Sequence, residues 1–227
     1  MVGYTESLTD PSYSGQLLTL TTPMVGNYGV PDRNKMDEFG LPTHFESDRI
    51  HAAGLLCQEY STYYSHWNAA SSLGSWLKEE GVVAVEGVDT RMVTKMIREE
   101  GSIMGRIEID GMPATPLKDP NSENLVAHVS RKDVKVFNEG APIKVLAVDC
   151  GIKYNIIRQL ANKGAEVTVV PHDYPISSHV HLYDGLFLSN GPGDPMMCVE
   201  TTQQLAKVME VRVYVVPSLS ADTSVHN

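Results

Sequence analysis

The chain has 227 residues, 42% of them hydrophobic and 20% charged, enough to bury a core in one large domain or two ordinary ones. A net charge of −10 and an isoelectric point near 5.2, with no basic stripe, argue against a nucleic-acid backbone or an anionic membrane as the main partner. No apolar run reaches the ~20 residues of a bilayer span, and the three cysteines lack metal-ligand spacing and suit a reducing, cytoplasmic compartment.

The first segment, to about Glu139, mixes short strand-like runs with loops. "GQLLTLTTPMV" alternates and is rich in Leu, Thr and Val, which predicts a strand, and "GNYGVPD" follows as a loop. "IHAAGLLCQEY" predicts another strand. In "NAASSLGSWLKEEG", Ala69, Leu73, Trp76 and Leu77 recur at helical spacing, with Gly81 placed to stop the helix. "VVAVEGVDT" returns to strand. "DTRMVTKMIREEG" predicts a helix with Asp89 or Thr90 as N-cap, Met92, Met96 and Ile97 inward, and Gly101 at the far end.

"NEGAPI", Asn138 to Ile143, reads as a linker. After it, "IKVLAVDCG" is a continuous apolar run, the mark of a strand buried on both faces. "KYNIIRQLANKG" predicts a helix carrying Ile156, Ile157 and Leu160 toward a sheet and ending at Gly164. "AEVTVVP" is a second buried strand, so the unit is βαβ and the sheet parallel. "YDGLFLSNGPGDP" adds a third strand, "VETTQQLAKVMEV" a helix and "VRVYVVP" a possible fourth strand.

Ligands of open parallel sheets bind beyond the carboxyl ends of the strands. Three loops belong there: "DCGIK", "PHDYP" and "SNGPGDP". In the last, Gly191 and Gly193 permit close backbone approach and positive φ, while Pro192 and Pro195 stiffen the loop. Stiff, exposed N–H groups are what oxyanion stabilisation requires, although a plain change of direction explains the same residues. Neither GxxxxGK[ST] nor GxGxxG is present, which sets nucleotide loops aside. Cys150 at a strand end invites a nucleophile, but no partner His is identifiable, and a small buried apolar residue is the better reading. His172, Asp173, His179 and His181 have no further carboxylate or Cys to complete a metal set and read as a solvated connection. The aromatic run "YSTYYSHW" has no interleaved Lys or Arg and reads as packing and surface.

Five ordered blocks, "GYTESLTDPSYSGQ", "TTPMVGNYG", "GVDTRMVTKMIREEG", "VDCGIKYNIIRQLANKGAEVTVVP" and "GLFLSNGPGDP", resemble the small, glutamine-hydrolysing part of carbamoyl-phosphate synthetase from Gly3 to about Met209. "PDRNKMDEFGL" and "FLSNGPGDP" look most like the fused animal form that starts pyrimidine synthesis, which also carries aspartate transcarbamoylase and dihydroorotase. The mitochondrial, ammonia-using synthetase of the urea cycle is the nearest alternative.

The resemblance implies an α/β chain. Residues 1–138 would be the small-subunit N-terminal domain, of β/β/α type, lacking its first strands, and 139–142 a linker. Residues 143–210 would be the first part of a flavodoxin-like class I amidotransferase domain, and 211–227 a divergent tail. In that family a Cys attacks the glutamine amide with help from a His–Glu pair, and the ammonia passes to a large synthetase part that uses ATP, bicarbonate and Mg. The resemblance assigns glutamine contact to Ser12, Gly191 and Gly193, with Gly191 also lending an N–H to the oxyanion. The family's nucleophile lies in G-[IV]-C-x-G-H-Q, whereas this chain has "VRVYVVPSLSADTSVHN". The chain is therefore expected to be a fragment, a variant transcript or an imperfect gene model, with no catalytic Cys, His or Glu, no metal and no cofactor of its own.

Overall fold

The computed structural model describes residues 3–113, 116–209 and 215–217. The chain divides into two compact units, residues 1–37 with 42–122, and residues 38–41 with 123–227.

In the first unit, α1 (Tyr4–Leu8) precedes six short strands: β1 (Leu17–Thr19), β2 (Met24–Val25), β3 (Val30–Pro31), β4 (Gly54–Leu56), β5 (Glu59–Tyr60) and β6 (Ala69–Ser71). Helix α2 (Leu73–Glu79), β7 (Val83–Val85) and α3 (Thr90–Glu100) complete it. Strands β1, β4 and β7 form a parallel sheet in the order β1-β4-β7, β2 pairs with β5, and β3 pairs with β6. The strands are shorter than the alternation suggests. "GQLLTLTTPMV" is broken between β1 and β2 at Thr22-Pro23, where proline offers no N–H to a ladder. "IHAAGLLCQEY" is divided between β4 and β5, and Cys57 between them still donates its N–H to the Val85 carbonyl.

Helix α2 starts later than the periodicity predicts. Ala69 belongs to β6, and Ser72 caps the helix by accepting the Ser75 N–H at 3.1 Å. Leu73, Trp76 and Leu77 point one face into the core, where Phe45 meets Trp76 edge to face at 5.6 Å. Helix α3 is capped by Asp89, which accepts the Met92 N–H at 2.9 Å. Its apolar stripe is not inward: Met92, Met96 and Ile97 are 54%, 40% and 40% exposed, and Thr90 is the only buried residue of the helix. Periodicity predicts a stripe but not what covers it.

The second unit holds α4 (Leu125–Val129), β8 (Lys135–Phe137), β9 (Ile143–Asp149), α5 (Tyr154–Asn162), β10 (Ala165–Pro171), α6 (Ile176–His179), β11 (Gly185–Leu188), α7 (Val199–Met209) and β12 (Val215–Pro217). Its sheet has the order β12-β11-β9-β10-β8, with β8 antiparallel at one edge and the other strands parallel. Both faces are covered, which is why the strands read as continuous apolar runs. Leu146, Val148, Val170 and Leu186 pack with Ile176 and Val208 on one face. Ala147, Val167, Val169 and Phe187 pack with Ile157 of α5 on the other. This is the α/β, doubly wound arrangement of a flavodoxin-like sheet.

"NEGAPI" is the turn between β8 and β9 inside this unit. Asn138 adopts φ 55° and donates its side-chain amide to the carbonyls of Ala161 and Ala165, tying the turn to the α5–β10 connection. Of "VRVYVVP", Val215–Pro217 pairs parallel to β11, and the rest of the predicted strand lies outside the described residues, as does "SLSADTSVHN".

Candidate functional site

The carboxyl ends of β9 and β11 build the site. Asp149, 6% exposed, ends β9 and accepts three backbone N–H groups, from Gly151 and Ile152 at 2.8 Å and from Arg131 at 3.0 Å. The Cys150 N–H then donates to Ser189 Oγ at 2.9 Å, and that hydroxyl donates to the Asn190 carbonyl at 3.0 Å. One serine thus stitches the end of one strand to the start of the loop on its neighbour.

Gly191 is held against this stitch. A Cβ there would lie 2.0 Å from the Cys150 carbonyl oxygen and 3.0 Å from Val126 Cγ2 of α4, so no side chain fits. Gly193 is constrained differently, by φ +76°, with Leu125 of α4 about 3.3 Å from a would-be Cβ. Pro192 between them is buried while both glycines are exposed. Asp194 closes the loop by accepting the Met196 N–H at 2.8 Å, and Asn124 donates to the Met197 carbonyl at 3.1 Å. The result is a rigid loop that presents exposed glycine backbone and can serve an anionic ligand atom.

The remaining sequence candidates are elsewhere or unsuited to nucleophilic work. Ser12 lies in the first unit, half-buried in a turn of 3-10 helix capped by Asp10, which accepts the Ser12 N–H at 2.9 Å. Burial, then the neighbouring Cys198 and Asp149, push the Cys150 thiol up to about 12, and burial also raises Cys198, so neither offers a thiolate at neutral pH. His172 is 8% exposed rather than solvated. It follows the last residue of β10, with its N–H donated to Ser130 Oγ and its carbonyl accepting from Thr201, and its Nδ1 meets no partner among the described residues. His179 packs on Tyr174 and His181 is exposed, and among the described residues no group of three His, Cys, Asp or Glu is placed to hold a metal. In the run "YSTYYSHW", Tyr63 and Trp67 are surface side chains, 87% and 83% exposed.

The supports under the loop, namely Asp149, Ser189 and α4, were not singled out from sequence. Asp149 closing an apolar run was a usable signal. Helix α4 precedes "NEGAPI" and carried none.

Residues 1–107 match the family model of the carbamoyl-phosphate synthase small chain, CPSase domain, and residues 146–217 match that of the class-I glutamine amidotransferases. The chain belongs with the carbamoyl-phosphate synthase small chains. It is 51% identical over 210 residues to the mitochondrial carbamoyl-phosphate synthase [ammonia] of Rattus norvegicus, covering 92% of this chain and 14% of that protein. It is also 51% identical over 211 residues to the multifunctional protein CAD of Squalus acanthias, covering 92% and 9%. The arginine-specific carbamoyl phosphate synthase small chain of Yarrowia lipolytica is 46% identical over 228 residues, 97% of this chain and 50% of that one. The chain therefore spans half the length of a small chain and far less of the large fused relatives, and equal identity to the ammonia-using enzyme and to CAD does not separate their routes.

Proposed function

We propose that this chain is the glutamine-holding portion of a glutamine-dependent carbamoyl-phosphate synthase that serves pyrimidine synthesis in the cytoplasm. The carrying observation is the "SNGPGDP" loop, where Gly191 is forced against the Cys150 carbonyl and Gly193 takes a positive φ at the carboxyl end of β11. In this proposal Gly191 and Gly193 bind glutamine, and Gly191 lends its N–H to the oxyanion. The "PDRNKMDEFGL" and "FLSNGPGDP" segments favour the pyrimidine route over the urea-cycle one.

The same proposal holds that the 227-residue polypeptide does not itself hydrolyse glutamine. A triad nucleophile is worth ~10⁴–10⁶ in rate, and Cys150 and Cys198 are buried with raised thiol pKa values. Its partner is a large synthetase part, which uses ATP, bicarbonate and Mg. A second reading, a non-catalytic docking module for that partner, is favoured by the uncovered apolar stripe of α3. Calorimetry with glutamine separates the two: glutamine binding that Gly193→Trp abolishes supports the first, and co-purification with the synthetase part without any glutamine binding supports the second.

A further inference from the structure

We propose that the first unit carries a binding site for a small aliphatic α-amino acid, in a cavity that shares no residue with the glutamine site proposed above. The cavity is about 170 Å³. Its buried apolar residues are Phe45 and Trp76, 3% and 2% exposed, and Met36 and Pro42 add apolar wall. Two exposed residues of opposite charge, Arg33 and Asp48, line the same space.

Three features point to a ligand. The Trp76 indole N–H is buried and meets no acceptor among the described residues, although buried N–H groups are nearly always paired. Thr9 and Ser47 line the same cavity without accepting it: Thr9 Oγ1 donates to the Thr5 carbonyl at 2.7 Å and accepts the Glu46 N–H at 2.9 Å, and Ser47 Oγ donates to the Thr9 carbonyl at 2.6 Å. An outside acceptor is what the indole lacks. Arg33 pairs with Glu79 and Glu80, and its bond to Glu79 is solvent-exposed, so a carboxylate can exchange for it at little cost. Asp48 supplies the opposite charge for an ammonium group. One carboxylate, one ammonium and a short aliphatic body satisfy the indole, both charges and the apolar wall together, which a water or a lone anion does not.

The test uses the full chain with Trp67→Phe, which leaves Trp76 as the sole tryptophan and its emission as the reporter. L-Valine is titrated beside isovalerate, which lacks the ammonium, and isobutylamine, which lacks the carboxylate. The expected result is a saturable spectral change with valine, and about tenfold weaker binding for each one-charge analogue and for Arg33→Gln and Asp48→Asn. Unchanged melting of both variants shows that they remain folded, and one folded variant suffices. No saturable response to valine overturns the proposal. So does equal binding of either analogue, or undiminished binding in the folded variants.

Discussion

At Gly191 the constraint is steric, because the Cys150 carbonyl occupies the place of a side chain, whereas at Gly193 it is conformational. The two therefore differ in cost. Gly191→Ala is expected to lose about 3 kcal/mol or more, since backbone must move, and Gly193→Ala about 1–2 kcal/mol; urea unfolding of both variants measures the order, and a larger loss at Gly193 contradicts this account. Ser189→Ala leaves the buried Cys150 N–H unpaired and is expected to cost about 1–3 kcal/mol by the same measurement.

His51 predicts a pH effect. Burial, then Arg49, lower its pKa from 6.5 to about 4, so folding keeps it neutral while the unfolded chain takes up a proton. Its contribution is complete above pH ~6.5 and is lost as pH falls toward 4. The melting temperature of His51→Gln should accordingly drop less between pH 7 and pH 4.5 than that of the unsubstituted chain, and an equal or larger drop refutes the assignment. The glycine loop was legible because Gly and Pro mark backbone directly. The serine that anchors it was not, because its role depends on which strands become neighbours.

Among the elements, β9, α5, β10 and β11 were legible as a set, since a strand covered on both faces has to be apolar at successive positions. The first unit was harder. Its strands run two or three residues, too short for alternation to mark their ends, and Ala69 was absorbed into a helical pattern that Ser72 in fact begins. Helix α3 shows the limit of periodicity most clearly, with a capped, amphipathic helix whose stripe faces outward. Met96→Lys on that stripe should change stability by no more than about 0.5 kcal/mol. Trp76→Ala on α2, an equally periodic position that is buried, should cost about 3–5 kcal/mol. Denaturant melts of the pair check the contrast, and a large loss at Met96 means the stripe is covered.

For the molecule as a whole, the family blocks identified both halves, while the division between them fell earlier than "NEGAPI" suggests, because β8 pairs with β10. Composition could not show this, since β8 is only three residues long. The central claim is that these residues hold glutamine without cleaving it. The direct measurement is ammonia release from glutamine by the purified 227-residue chain. No release above the uncatalysed rate is the predicted result. Release that Gly193→Trp abolishes would contradict the account.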